Sequence, residues 1–403
     1  MAITNTFWRI WFGQLVSGLG SGITQFALAV WAFQRTGSAT LFGVIAMCAV
    51  LPGLVLSPIA GPLVDRWNRR TAMLVSDTGA ALASAVVVAL AATDRIAPWQ
   101  LCVATACTSS LSSLHQPAYQ AMISMLVPKA ELGKASGAVL AADALAELTA
   151  PVLGGVLLSV CGLAGIVAID LGTFAIAAAL LLAARVPSLA AAPPRGAAPS
   201  IWRETAEAWR YITARRGLVG LLAVACVTSL AVGFLEVLSA PIVLALASPG
   251  VLGAVRSVAG AGMLAGSVVM QLWGGPRARI AGVLWFQLAL GVHLVLMGFP
   301  TTPWLLAAAG FGALFAIPLI NGCAQTLWQT KVELALQGRV FALRRLARLC
   351  RPAGFLAAGA LADHVLAPAA ALALVGAITI VATLALARYR PLREVQRELP
   401  DAY

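Results

Sequence analysis

Apolar runs of membrane-spanning length recur along the whole of this chain, and they restrict it to a helical membrane fold. A transmembrane helix needs about 20 predominantly apolar residues, and in hydrocarbon its backbone polar groups must be paired within the helix. We therefore predict an all-α integral membrane protein with about twelve transmembrane helices, over residues 8–33, 41–63, 71–92, 98–122, 136–159, 163–185, 218–246, 250–273, 280–299, 303–327, 339–362 and 367–388.

The composition excludes an ordinary soluble protein. Of the 403 residues 61% are hydrophobic and only 10% are charged, whereas soluble domains carry about 25% charged residues. The net charge of +12 could suggest a nucleic-acid ligand, but the basic residues occur in short clusters between apolar runs. We expect no nucleic-acid partner. The seven cysteines are scattered without a CxxC pair, so we predict neither a disulfide framework nor a metal site.

The distribution of basic residues predicts the orientation in the membrane. Most of the 27 Lys and Arg fall at the N-terminus, in even-numbered loops or in the C-terminal tail, whereas Arg35 and Arg95 lie in odd-numbered loops. Cytoplasmic loops carry an excess of Lys and Arg. We predict a multi-pass protein of the cell membrane with both termini cytoplasmic, and we expect a monomer in the lipid bilayer.

A segment of different composition divides the chain in two. Residues 187–200 are rich in Pro, Ala and Gly, and an amphipathic stretch follows them, with Ile201, Trp202, Trp209 and Ile212 set against several arginines. This pattern is typical of a helix lying on a membrane surface; a solvated linker helix is the alternative. We predict a six-helix bundle over 1–186, a cytoplasmic linker with an interfacial helix over 187–217, a second six-helix bundle over 218–390 and a cytoplasmic tail over 391–403.

The second loop, GPLVDRWNRR, carries the most specific pattern in the sequence. Its charges cannot lie in hydrocarbon, so it is a short aqueous loop between the second and third helices. We expect Gly61 to allow close helix approach and Asp65 to hold a charge network that gates transport. The basic members of this gating loop are Arg66, Arg69 and Arg70.

This loop, G-x-L-x-D-R-x-x-R-R, resembles the loop 2–3 signature of the major facilitator superfamily. The segments LVPKAELGKASG, APVLGG and WQTKVELALQGRVFALRR resemble the group within it that contains macrolide and drug efflux proteins. The resemblance implies two pseudo-repeated six-helix bundles with a substrate site between the halves near mid-membrane. The drug-antiporter signature of helix 5 usually has Gly-Pro before its glycine pair. Here Ala150-Pro151 precedes Gly154 and Gly155, which retains the expected helix 5 kink at Pro151 and the close-packing glycines.

Ionisable side chains inside apolar spans are costly and are functional candidates by default. Asp143 and Glu147 lie four residues apart, on one face of helix 5. Desolvation and mutual repulsion favour a proton on at least one of them, and we predict Glu147, near mid-membrane, as the proton carrier with Asp143 in support. Alternatively, Asp143 sits in a wet cytoplasmic vestibule and only Glu147 matters.

Other ionisable groups each have two candidate roles. Glu236 and Asp170 are further proton-coupling candidates, with structural roles as the alternative. Glu236 could pair with Arg256 of the neighbouring helix, and Asp170 has Thr173 as a possible hydrogen-bond partner. Asp77, about two turns beyond Arg70, is better explained as part of the loop 2–3 charge network than as a transport residue.

Polar side chains at helical spacing predict the lining of a substrate cavity, although small polar residues in spans often only join helices. His115 is also a candidate proton carrier, because its charge changes near neutral pH; a packing role is the alternative. The candidates on helices 1, 4 and 10 are Gln14, Ser17, Ser21, Gln25, His115, Gln116, Gln120, Asn321, Gln325 and Trp328.

No nucleotide-binding motif is present in the sequence, so we predict no cofactor and a proton gradient as the energy source. The resulting hypothesis is a proton-coupled exporter of small amphipathic organic compounds, such as macrolide-like drugs or natural products, working by alternating access. Uptake, or export of a siderophore or peptide, is the alternative within transport. A non-transporting membrane sensor or scaffold is a less favoured alternative, because it would not need the polar residues that this chain has in its centre. An enzyme would need a nucleophile–base pair or a metal cluster, and neither is recognisable in the sequence, so we predict no enzyme activity.

Overall fold

The computed structural model describes residues 5–93, 96–128, 131–184, 201–299 and 302–398, which are nearly all helical and contain no β-strand. The all-α fold is therefore confirmed. The helices are α1 (Asn5–Thr36), α2 (Ala39–Arg66), α3 (Arg69–Ala92), α4 (Pro98–Leu126), α5 (Leu132–Val160), α6 (Gly162–Ala183), α7 (Ile201–Ala214), α8 (Arg216–Leu244), α9 (Pro249–Trp273), α10 (Arg279–Met297), α11 (Pro303–Lys331), α12 (Leu334–Arg344), α13 (Cys350–His364), α14 (Pro368–Arg388) and α15 (Arg390–Glu398).

Ten of the described helices are long and apolar enough to cross a membrane, against about twelve predicted spans. The two differences have separate causes. α4 has the required length, but its serines, threonines, His115 and glutamines make it more polar than its neighbours. The predicted span 339–362 is divided by a 3₁₀ segment, Arg345–Leu349, into α12 and α13, and each of these is shorter than a complete span.

The short connections on either side of α2 contain a glycine or a capping residue that begins the next helix. Only Gly37 and Ser38 separate α1 from α2. Gly37 has φ +66, a conformation that glycine adopts without steric cost. The Ser38 hydroxyl accepts a hydrogen bond from the Leu41 N–H at 3.1 Å, so it satisfies one of the unpaired donors at the start of α2. Asn68 caps α3 similarly, accepting from the Arg70 N–H at 3.0 Å.

The chain forms two compact units. The first comprises residues 1–194 together with Ser248–Ser257, and the second comprises the remainder. In the first unit α1 packs on α5 and α6, α2 packs on α4, and α3 packs on α4 and α6. Two apolar clusters form its core. One includes Phe7, Met73 and Met122, and the other includes Ile45 and Ile166.

In the second unit α8 and α13 make a close glycine-mediated contact. A Cβ atom added at Gly233 would lie 2.5 Å from the Arg351 carbonyl oxygen, and one added at Gly354 would lie 2.8 Å from the Leu230 carbonyl oxygen. Small residues of this kind allow two helix backbones to approach closely in a membrane. The contact fixes Arg351 beside α8, one turn from Glu236.

We expect Gly233→Ala to destabilise the protein by about 1–3 kcal/mol, the usual cost of overpacking a tight contact. The methyl group would force α8 and α13 apart, since the atom it meets belongs to the backbone. Thermal unfolding in detergent measures this effect. Gly172→Ala in α6 is the matched control, because nothing lies within 4 Å of its Cβ position. Equal melting temperatures for the two variants would contradict the close contact.

The second unit also contains two amphipathic helices, α7 and α15. Ala208 and Ile212 of α7 are fully buried, whereas Trp209 is 51% exposed, so the apolar residues of α7 do not all share one membrane-facing side. Its Glu207 carboxylate lies 2.9 Å from the Arg339 guanidinium. α7 thus docks on α12 through an ion pair as well as through apolar packing. The side chains of 201–205 lie outside the described part of the structure.

The helix α15 falls in the segment predicted to be a tail. Leu392 and Val395 are buried against the start of α8, where Gly217 and Gly220 leave room for them. The apolar positions at 392 and 395 are one helical turn apart, and this pattern was overlooked because the flanking residues are strongly charged.

Candidate functional site

A cavity of about 670 Å³ lies within the first unit, in the size range of small-molecule sites, about 300–1,000 Å³. It lies among α1, α2, α3, α4 and α6. Most of its polar lining consists of hydroxyl groups, and α4 supplies five of them at helical spacing. The hydroxyl-bearing residues are Ser21, Thr24, Ser57, Ser84, Thr105, Thr108, Ser109, Ser112 and Ser113.

Several of these hydroxyl groups donate their hydrogen to their own helix. Thr108 donates to the Ala104 carbonyl at 2.6 Å, and Ser112 donates to the Thr108 carbonyl at 2.9 Å. Ser57 on α2 donates to the Leu54 carbonyl at 2.9 Å. A hydroxyl group has one donor and two acceptor sites, so these side chains keep acceptor capacity. The lining therefore suits a ligand that donates hydrogen bonds.

Asp170 on α6 is the one acid among the described residues that line the cavity. It is 2% exposed, and its carboxylate lies 3.3 Å from the hydroxyls of Ser21 and Thr173. Gly20 makes this arrangement possible, since a Cβ there would meet Asp170 at 2.8 Å. No Lys, Arg or His is among the described side chains that line the cavity. The cavity thus carries an acidic group without a basic partner in its lining.

The structure brings some of the predicted cavity residues together. Ser21, Gln25 and Gln116 line the cavity with Asp170. Ser17 is buried and outside the lining, and Gln120 is exposed.

In the second unit two of the three predicted polar residues of α11, Gln325 and Trp328, share a contact. Asn321 is exposed, Gln325 accepts a hydrogen bond from Arg344, and the buried Trp328 ring faces the Arg344 guanidinium at 5.7 Å. Arg344 therefore holds the two predicted residues Gln325 and Trp328 in one polar contact.

Two other predicted residues meet at a buried acid. The His115 Nε2 atom on α4 lies 3.3 Å from the Asp77 Oδ1 atom on α3, and Gln14 of α1 faces the same carboxyl group. Asp77 is 6% exposed, and its Oδ2 atom has no hydrogen-bond partner among the described residues. Asp77 therefore belongs to an interior pair with a histidine, whereas we had predicted a role in the loop 2–3 charge network.

The predicted helix 5 features lie along an antiparallel contact with the start of α9. Gly155 approaches the Pro249 carbonyl, Gly253 approaches the Pro151 carbonyl, and Ser257 donates a hydrogen bond to the Leu148 carbonyl. Gly154 instead faces the Phe26 ring of α1. The glycine pair therefore serves two helix contacts, and α5 continues through Pro151.

The same register places Glu147 at the level of Arg256, whose guanidinium also lies 5.9 Å from the Phe26 ring and 5.8 Å from the Phe42 ring. Cation–π contacts of this kind reduce the cost of a guanidinium group in an apolar region. Asp143 and Glu147 both occupy exposed positions on α5 and lie outside the cavity lining. Their predicted proton-carrying role stays a prediction.

Glu236 has a partner that we did not predict. The sequence suggested Arg256; in the structure the Glu236 carboxylate binds Arg351 of α13 through two parallel hydrogen bonds, with 2.9 Å between Nε and Oε2. A bidentate arginine–carboxylate pair is among the strongest side-chain contacts. Arg351 was overlooked, although it lies inside the predicted span 339–362 and an embedded arginine is itself a signal of a buried acid nearby.

The gating loop is described only in part. The Arg70 guanidinium donates a hydrogen bond to the Leu182 carbonyl near the end of α6, so the loop contacts a neighbouring helix end. Arg69 is partly buried. The surroundings of Gly61 and the side chains of Asp65 and Arg66 lie outside the described part of the chain, and the gating role of this loop stays a prediction.

Comparison with known proteins identifies the family. Residues 10–349 match the family model of the Major Facilitator Superfamily. The chain belongs to this superfamily of transporters. Macrolide efflux protein A of Streptococcus pyogenes is 27% identical over 370 residues, which cover 89% of this chain and 90% of the relative. The multidrug efflux pump Tap of Mycolicibacterium fortuitum is 28% identical over 367 residues, 88% of each chain.

Solved structures of major facilitator proteins share the fold. A POT family transporter solved in complex with 5-aminolevulinic acid superposes with a TM-score of 0.75 at 11% identity, over 96% of both chains. A bacterial homologue of the human lysosomal transporter Spinster gives a TM-score of 0.66 at 15% identity, over 99% of this chain and 98% of the homologue. Identities this low support the architecture alone. The chain is therefore a membrane protein with the major facilitator fold.

Proposed function

We propose that this protein exports small amphipathic organic compounds across the cell membrane in exchange for protons, by alternating access. The observation that carries the proposal is the cavity of the first unit, where Asp170 lies among hydroxyl acceptors and apolar walls. The relatives named for macrolide and multidrug efflux support export and suggest macrolide-like cargo.

The chemistry of the cavity narrows the class of cargo. An acid without a basic partner attracts a cationic group, and the free acceptor positions of the hydroxyls favour N–H and O–H donors. Apolar residues such as Leu28, Ile45 and Val87 complete the wall and favour a hydrophobic body. A lipophilic amine with several hydroxyl groups combines all three properties.

Accumulation assays in cells test this proposal. Cells that express the protein should retain less radiolabelled erythromycin, a macrolide, than cells with an empty vector, and a protonophore should remove the difference. A panel of lipophilic amines and neutral compounds extends the test to other cargo. Increased accumulation would favour an uptake carrier instead, and unchanged accumulation across the panel would contradict a transporter of this class.

We also propose that both termini face the cytoplasm. Arg35 lies exposed at the end of α1, and the side chain of Lys134 near the start of α5 is 75% exposed. In a background without native cysteines, an impermeant thiol reagent should label Arg35→Cys in intact cells and Lys134→Cys only after permeabilisation. The reverse pattern would contradict this orientation.

A further inference from the structure

We infer that Asp77 and His115, rather than the carboxylates of α5, hold the proton that this protein exchanges for its substrate. The inference rests on the proposed proton-coupled export and names the group responsible for coupling. It makes the α3–α4 contact, and not helix 5, the place where the proton binds.

The geometry of the pair is suited to holding one proton. The His115 Nε2 and Asp77 Oδ1 atoms are 3.3 Å apart, and the two side chains are only 15% and 8% exposed. Both His115 Nε2 and Asp77 Oδ2 lack a well-aligned hydrogen bond among the described residues. A buried polar group without such a partner is destabilising, so these atoms are available to a proton or to a water molecule that carries one.

The groups around the pair provide little compensating charge. Gln14 from α1 is neutral and faces Asp77. On α4 the Tyr119 ring lies 6.2 Å from the His115 ring, and Asp143 of α5 is close enough to interact with Tyr119. Among the described residues, the ionisable groups near the pair are therefore the Tyr119 phenol and, beyond it, the Asp143 carboxyl group. None of these supplies a positive charge.

The net charge of the Asp77–His115 pair links its protonation to substrate binding in the cavity. With one proton, the pair is neutral overall, as carboxylate and imidazolium or as carboxylic acid and imidazole. Release of that proton to water leaves one net negative charge, which is costly in a region of low dielectric. A cationic substrate in the adjacent cavity compensates this charge, because Gln116, next to His115, and Ser112, one turn away, both line that cavity. Proton release and substrate binding therefore favour each other.

The α5 carboxylates are less suited to this role. Asp143 and Glu147 occupy exposed positions on α5 and lie outside the cavity lining. Asp77 and His115 are buried, and His115 is next to Gln116, which lines the cavity. Coupling requires that the cargo changes the proton affinity of the group, and the buried pair lies closer to the cargo.

The experiment compares two modes of erythromycin transport in proteoliposomes. One mode is efflux driven by an imposed pH gradient, and the other is substrate exchange at equal pH on both sides, which needs no net proton movement. We expect Asp77→Asn and His115→Gln to reduce gradient-driven transport by about a hundredfold, since a pair that cannot change its protonation leaves no coupling between the two ligands. Exchange should persist at saturating erythromycin, with a higher half-saturation concentration, because the variants resemble the protonated form that binds the cation less well; persistent exchange also shows that the variants are folded.

Three further variants distinguish this inference from the competing assignments. His293→Gln is the matched control, because His293 lies on α10 with its Nδ1 atom 2.7 Å from the Ala289 carbonyl, and both modes should survive. Asp77→Glu should restore part of the gradient response. Glu147→Gln tests the competing assignment: loss of gradient-driven transport in Glu147→Gln, with a normal response in the Asp77 and His115 variants, would overturn the inference. A wild-type protein that exchanges erythromycin but ignores the pH gradient would instead reject proton coupling itself.

Discussion

Asp170→Asn is expected to reduce erythromycin efflux by about ten- to a hundredfold, because a hydrogen bond to a charged group contributes about 1.5–3 kcal/mol. The amide keeps the shape of the side chain and its contacts with the hydroxyls of Ser21 and Thr173, but it removes the negative charge from the cavity. The loss should therefore appear as weaker binding and as slower exchange. Concentration-dependent transport and equilibrium binding measure it.

The matched control is Glu394→Gln, which removes an exposed acid from α15 and should leave binding unchanged. A neutral cargo analogue without the amine should be affected little by Asp170→Asn. If the variant binds the cationic and the neutral compound as the wild type does, Asp170 does not recognise the charge of the substrate.

Glu236→Gln is expected to lower stability by about 2–3 kcal/mol. This is somewhat less than the 3–5 kcal/mol measured for breaking fully buried ion pairs, because the two side chains are 41% and 35% exposed. The substitution leaves the Arg351 guanidinium without its bidentate partner inside the second unit. For a unit of this size the melting temperature should fall by about 5–10 °C, as measured by thermal unfolding in detergent.

The double variant Glu236→Gln and Arg351→Met separates a structural role from a transport role. Removing both charges is often close to neutral for stability, so the double variant should recover much of the lost melting temperature. A Glu236→Gln protein that melts like the wild type but fails to respond to a pH gradient would show that Glu236 carries a proton.

The order and approximate length of the helices could be predicted because hydrocarbon requires long apolar runs and internal backbone pairing. The 3₁₀ segment that interrupts the eleventh predicted span was harder to predict. Arg344, Arg345, Arg348 and Arg351 all fall within 339–362, and several arginines in one span should have indicated a departure from a simple apolar helix. α15 was not predicted, because its charged residues outnumber the two apolar residues, Leu392 and Val395, that pack against α8.

The side-chain partners were harder to predict than the helices. Asp77 and His115 are 38 residues apart along the chain, and Glu236 and Arg351 are 115 apart. Whether such residues meet depends on the rotation of each helix about its axis and on contacts such as that between Gly233 and Gly354. Helical periodicity identifies which residues share a face, but it does not identify the helix that the face contacts. For this reason Asp170 and Ser21 could be proposed individually, whereas their meeting in one cavity required the structure.

Proton movement during substrate transport directly tests whether export is coupled to protons. The purified protein is reconstituted into liposomes that contain a pH-sensitive dye, and an erythromycin gradient is imposed with no initial pH difference. We predict that erythromycin entering the liposomes drives protons out, so that the interior becomes alkaline faster and further than in protein-free liposomes, and that a protonophore abolishes this change. Erythromycin transport at a normal rate with no change in internal pH would contradict proton-coupled export.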